Sequence, residues 1–187
     1  MEVDEALPQY KRFTYEDYCS WDDDKRWELL DGVPYAMSAP NRRHQEISSQ
    51  FNRIIGNFLV GKPCKVYAAP FDVRLNADTY NDTVVQPDLL VVCDMSKLDD
   101  KGCIGAPDMV IEILSPSTVM HDKVLKYSLY LRAGVREYWI VDPVGNSVSV
   151  NILKDGEYVA RAYGDRDAAP VHVLEGCVID LPEVFEE

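Results

Sequence analysis

The chain of 187 residues lacks any run of roughly 20 uninterrupted apolar residues, so the sequence offers no membrane-spanning helix. Its start, MEVDEALPQYKR, lacks the basic-then-apolar order of a secretory leader. The five cysteines, Cys19, Cys64, Cys93, Cys103 and Cys177, contain no CxxC pair, which excludes a structural zinc knuckle and a disulfide scaffold. A reducing cytoplasm is the expected location. Walker, GxGxxG, GxSxG and HExxH motifs are all absent, removing nucleotide-triphosphate, dinucleotide, serine-hydrolase and zincin chemistry from consideration. Repeats, low-complexity tracts and linkers are missing too, and the length suits one domain spanning 1–187.

Basic excess is also missing. With 19 Lys and Arg against 32 Asp and Glu the net charge is −13, so the chain is no general nucleic-acid coat. The charge is nonetheless uneven. Residues 1–32 carry ten acids and four bases, whereas residues 33–67 carry only Glu46 against Arg42, Arg43, Arg53, Lys62 and Lys65. A local basic face on an acidic protein follows, or simply the solvated side of a helix.

What is present reads as alternating helix and strand. Thr14, followed by Glu16 and Asp17, starts a short helix. Asp31-Gly32 between Arg26–Leu30 and Val33–Met37 predicts a tight hairpin. Ile47, Phe51, Ile54, Ile55, Phe58 and Leu59 recur at helical spacing and predict an amphipathic helix over Arg42–Leu59. Strand runs are expected at Lys65–Leu75, Val84–Cys93 and Met109–Leu114, then a helix over Val119–Ala133 ended by Gly134, and a strand at Glu137–Val141. The crossover makes the strands at 109–114 and 137–141 parallel. A hairpin around Asp155-Gly156 and a strand near Cys177–Leu181 complete a β-rich tail. The fold class is α/β, with a mixed sheet flanked by helices.

Two carboxylates stand out because their strands are otherwise apolar on both parities: Asp88 in VVQPDLLVV and Glu112 in MVIEILS. Buried carboxylates need a partner or a cation. Asp88 shares a side with Leu90 and Val92, and Glu112 with Val110 and Leu114, so neighbouring strands can aim both into one pocket. Two convergent carboxylates suit a hard divalent cation, while separate pairing with backbone or a buried base is the structural alternative. Pro87 lacks an N–H, so the strand must be an edge, bulged or frayed at Asp88. His44, three residues before Ile47, points towards the sheet. Glu28, between Trp27 and Leu29 of a hairpin strand, is expected to be exposed, and the Tyr127/Tyr130 pair with Tyr138-Trp139 reads as core.

Pro87-Asp88 followed by Glu112-Ile113-Leu114 resembles the PD-(D/E)XK arrangement of restriction-endonuclease-like nucleases, with Leu114 where the lysine stands. RWELLDGVPYAMSAPNRRHQEI, VVQPDLLVV, GAPDMVIEILSPST, HDKVLKYSLYLRAGVREYWIVDP and VLEGCVIDLPEVFE are together similar to the Uma family, whose members are described as restriction endonucleases. The resemblance implies a restriction-endonuclease-like α-β-β-β-α-β core with an N-terminal hairpin. It further implies an Mg²⁺- or Mn²⁺-dependent hydrolysis of DNA phosphodiesters. Asp88, Glu112 and the Ile113 carbonyl would hold the metal and Glu28 would complete the acidic cluster. A lysine migrated to the following helix, Lys126 or the competing Lys123, would stabilise charge, and His44 would assist. Arg42, Arg43, Ser115, Ser117 and Lys123 would contact substrate phosphate, and cutting both strands would call for a homodimer. A non-catalytic binding or regulatory member of the fold, or a hydrolase of a small phosphate ester, stands as the alternative; the latter suits the charge of −13 better than DNA does.

Overall fold

A computed structural model of the chain describes residues 11–115 and 121–186, with only the backbone of 121–123. Helix α1 (Tyr15–Cys19) begins where Thr14 and Asp17 exchange side-chain and backbone hydrogen bonds in a capping box. Strands β1 (Trp27–Leu30) and β2 (Val33–Ala36) flank Asp31 and Gly32, whose φ angles of 47° and 79° fit the expected tight turn. Helix α2 (Arg42–Phe58) is capped by Asn41 and buries Ile47, Phe51 and Ile55, the stripe predicted from spacing.

The next two runs depart from expectation. Lys65–Leu75 is not one strand but two, β3 (Lys65–Ala68) and β4 (Asp72–Arg74), in different sheets. Pro70 has no N–H to continue a ladder, so the chain changes layers there. Val84–Cys93 divides likewise into β5 (Val84–Val85) and β6 (Leu89–Val92) around Pro87. Strands β7 (Leu98–Asp99) and β8 (Gly102–Ile104) carry too short an apolar signal to be expected. Strand β9 (Met109–Ile113) follows, and after a π-helical stretch at His121–Lys126 comes helix α3 (Tyr127–Ala133), ended by Gly134 at φ 83°. Strand β10 (Glu137–Asp142) pairs parallel with β9, as the crossover requires. The tail supplies β11 (Ser147–Lys154), β12 (Glu157–Gly164), β13 (Ala168–Pro170), β14 (Val178–Asp180) and helix α4 (Leu181–Phe185).

Besides the β13–β14 pair, the strands form two six-stranded sheets rather than a single one. Their orders are β2-β1-β5-β4-β8-β7 and β12-β11-β10-β9-β6-β3. On one face of the second sheet, Leu89, Val91, Met109, Ile111 and Trp139 pack on Ile47, Phe51 and Ile55 of α2 and on α4. On the other face, Leu90, Val92, Val110, Tyr138 and Ile140 meet Leu30, Val73 and Val85 of the first sheet and Leu129 and Tyr130 of α3. Both faces of β6 and β9 are thus covered, and each fully buried Val, Leu or Ile contributes about 1.5–3 kcal/mol. Expectation also fails at the cysteines. The β3–β6 register, Lys65 opposite Val92, places Cys64 opposite Cys93, and the two form a disulfide. Among the described residues, no helix is long and apolar enough to cross a membrane.

Candidate active site

Register brings the two strand carboxylates together. Leu90 pairs with Val110 and Leu89 with Ile111, so the next position sets Asp88 opposite Glu112 on the face turned to the first sheet. The ladder stops there because Pro87 offers no N–H, and the Asp88 side chain takes over its role. Its Oδ2 accepts the Ile113 N–H at 2.7 Å, while its own carbonyl accepts the N–H of Ala69 at 3.0 Å. The same Oδ2 lies 3.1 Å from Nε2 of His44, which the first turn of α2 carries in from the opposite layer. His44 is buried, as its place at the start of the apolar stripe predicts.

Glu112 is 3% exposed, and its Oε1 accepts from the Tyr130 hydroxyl at 2.6 Å and from Nζ of Lys126 at 2.9 Å. Lys126 Nζ also lies 2.8 Å from Oε1 of Glu28, which accepts the backbone N–H of Gln86 at 2.8 Å. The expectation that Glu28 is exposed is therefore corrected: it too is 3% exposed. Leu29 on the alternate parity joins Tyr15 and Val84 under α1, which turns Glu28 and Leu30 into the space between the two sheets. Burial, reinforced by the carboxylates of Glu112 and Glu28, pushes the Tyr130 phenol well above its ordinary value, so it stays a hydrogen-bond donor.

Among the described residues, three carboxylates thus face one ammonium and one imidazole, a formal excess of two negative charges when His44 is neutral. Among the described residues, no three His, Cys, Asp or Glu side chains converge into a ready-made cage for a metal ion. An all-oxygen pair nevertheless suits Mg²⁺, which is held by one or two carboxylates and completes its shell with water and substrate phosphate. Asp88 fits that use: its Oδ1 has no partner among the described residues, and its side chain is 19% exposed. A surface groove of about 680 Å³ elsewhere is lined by none of these residues, and its Arg12 and Arg132 are already paired with Asp82 and Asp31.

Residues 14–182 match the sequence profile of the Uma2 family, described as "Putative restriction endonuclease". The chain belongs to the Uma2 family. It is 28% identical over 164 residues to an uncharacterized protein of Synechocystis, with 84% of each chain covered. Its fold is similar to a crystal structure titled as a putative nuclease of the DUF820 group from Anabaena variabilis, with a TM-score of 0.75 at 17% identity over 92% of this chain and 97% of that one. The two chains share one fold, and it is of the α/β class expected from the sequence.

Of the residues that the Uma2 resemblance singled out, Asp88, Glu112, Glu28, Lys126 and His44 come together, and Ile113 joins them through its N–H. Arg42 does not; it is exposed and pairs with Glu46 one turn along α2. Arg43 is spent on the carbonyls of Phe185 and Glu186 and on Asn146, where it ties α2 to the C-terminal helix. Ser115 is half-buried just beyond β9, whereas Ser117 and the side chain of Lys123 lie outside the described residues. The sequence reading places Tyr130 in the core, where it lies, but not at the site, although a signal exists: it stands four residues after Lys126 and so shares its helical face. Gln86 and Arg26 were missed for want of any such periodicity.

Proposed function

We propose that this chain hydrolyses phosphodiester bonds of DNA as an Mg²⁺- or Mn²⁺-dependent endonuclease. The observation that carries the reading is the cross-strand pair Asp88 and Glu112, with Lys126 from the following helix lodged against Glu112 and Glu28. Asp88 and Glu112, with the backbone carbonyl of Ile113, would hold the metal. When bound, the metal supplies a lowered water pKa and a polarised scissile phosphate at one point.

The chain's own residues have separable tasks. Tyr130 and Lys126 both engage Oε1 of Glu112 and so fix the rotation of that carboxylate. His44 and the Ile113 N–H do the same for Oδ2 of Asp88, leaving Oδ1 directed outward. Lys126 holds positive charge beside the acids and stabilises the negative charge that develops on the phosphate. Glu28, bonded to the Gln86 N–H, keeps Lys126 in register. One such site per chain cuts one strand, so duplex cleavage calls for two copies.

The test is calorimetric titration of Mg²⁺ and Mn²⁺ into the wild type, Asp88→Asn and Glu112→Gln, beside a plasmid-cleavage assay on the same samples. Expected are metal binding and nicking by the wild type, with both lost in each folded variant. Nicking that survives in Asp88→Asn overturns the reading. Metal-independent DNA binding without cleavage would instead identify a non-catalytic member of the fold.

A further inference from the structure

The acidic site has a cation beside it that none of the tasks above uses. Arg26 immediately precedes β1, and its carbonyl accepts the N–H of Met37, which continues the hairpin register by one residue. Two positions from Glu28, it shares that residue's face of the strand, about 7 Å along it. Gln86 links the two. Its backbone N–H donates to Oε1 of Glu28 at 2.8 Å, while its side-chain Oε1 accepts from Nε and Nη2 of Arg26 at 3.1 and 2.7 Å.

The amide is held in that orientation from behind. Its Nε2 donates to Oδ1 of Asp72 at 2.8 Å and to the Tyr18 hydroxyl at 3.1 Å, and Tyr18 in turn donates to the same Asp72 oxygen at 3.0 Å. Flipping the amide would set its oxygen against a carboxylate, so Gln86 must present its acceptor to Arg26. Asp72 and Tyr18 therefore hold Gln86, and Gln86 holds the guanidinium.

Charge makes this arrangement informative. Arg12, Arg42, Arg53, Arg74, Arg132 and Arg136 each pair with a carboxylate, and Arg43 is taken up far from the site by the carbonyls of Phe185 and Glu186 and by Asn146. Among the described residues Arg26 pairs with none; its side-chain partner is a neutral amide. A guanidinium has five donors, and this one spends two, keeping its full charge and three N–H groups beside a site of opposite sign. Collapse onto Glu28 would neutralise it, and the Gln86 clamp prevents that. A planar fork held in this way matches the non-bridging oxygens of a phosphate.

We infer that Arg26, clamped by Gln86, binds a backbone phosphate of the nucleic-acid substrate and positions the strand over Asp88 and Glu112. The inference rests on the nuclease reading and goes beyond it by naming the phosphate contact. The experiment is fluorescence anisotropy of a short labelled DNA duplex, with Ca²⁺ replacing Mg²⁺, titrated against the wild type, Arg26→Gln, Arg26→Lys and the control Arg136→Gln over a series of salt concentrations. Losing one phosphate contact should weaken Arg26→Gln roughly tenfold and reduce the slope of log affinity against log salt by about 0.9, a change that loss of packing alone would not produce. Arg26→Lys should keep the wild-type slope with weaker binding, and Arg136→Gln should match the wild type. Wild-type affinity and slope in a folded Arg26→Gln would overturn the inference while leaving the nuclease reading standing. Absence of duplex binding by the wild type at any salt would overturn both.

Discussion

Tyr130 shows how one buried group serves packing and chemistry together. Its ring sits in the core between the sheets, edge-on to Tyr138 at 4.9 Å, and its hydroxyl is 2.6 Å from Glu112. Tyr130→Phe keeps the volume and removes one hydrogen bond to a carboxylate, so it should cost about 1.5–3 kcal/mol by urea denaturation. The pH dependence has a definite sign. The folded-state pKa lies above the ordinary 10.0, so the native chain keeps a proton that the unfolded chain releases. Stability from this group is full below pH 10 and falls as pH rises, by up to about 1.4 kcal/mol per pH unit. Tyr130→Phe should flatten the alkaline loss of stability without abolishing it, because burial raises Tyr18 and Tyr158 as well. An unchanged slope in the variant would mean that Tyr130 titrates normally. Lys126 gives a larger effect. Lys126→Met strands Glu28 and Glu112 without the cation they share and should cost about 3–5 kcal/mol, part of which Glu28→Gln in the same chain should recover. Asp88 and Glu112 are legible in the sequence because acids amid two-sided apolar strands must find a partner or a cation, and a backbone N–H and a buried lysine are there to meet them. Glu28 is not, since its burial depends on a second sheet whose strands carry little periodic signal of their own.

At the scale of elements, helices and hairpins are legible because their signals are local: the Thr14 capping box, the α2 stripe, the Asp-Gly turns and Gly134 each act within a few residues. Sheet membership is not local. Whether Lys65–Leu75 stays in one sheet or changes layers depends on partners far along the chain, and Pro70 and Pro87 mark where a ladder ends without saying where the chain goes next. Strand β8 shows the cost of that non-locality. Gly102 has φ +143°, and a Cβ added there would lie 2.1 Å from the carbonyl oxygen of Asp72, its register partner on β4. Gly102→Ala should therefore force β4 and β8 apart and destabilise the chain by about 2–4 kcal/mol. Because Asp72 anchors Gln86, the same change should loosen the Arg26 clamp and weaken DNA binding even at temperatures where the variant stays folded. Thermal melts and duplex binding measured on one preparation would check both, and wild-type behaviour in either would show that β8 adjusts without disturbing β4.

For the whole molecule, a net charge of −13 stands against the polyanionic substrate proposed above. Long-range repulsion slows and weakens association with DNA, most strongly at low ionic strength. The formal excess of negative charge at the acidic cluster adds a local term at the point where a phosphate would have to sit. A divalent cation cancels that local term, so duplex affinity should rise on adding Mg²⁺ or Ca²⁺ by more than ionic strength alone explains. The same reasoning applies to variants without any metal. Asp88→Asn with Glu112→Gln removes two negative charges facing the phosphate and leaves Lys126 and Arg26 in place. In EDTA this double variant should bind a labelled duplex roughly tenfold more tightly than the wild type, a difference of about 1.4 kcal/mol, and should gain nothing on adding Mg²⁺. Equal affinity of the two proteins in EDTA would locate any DNA on another face, since two charges removed at the contact cannot be without effect there. Tighter binding that is also insensitive to the cation would tie the charge of the site, the metal and the phosphate to one place in the fold.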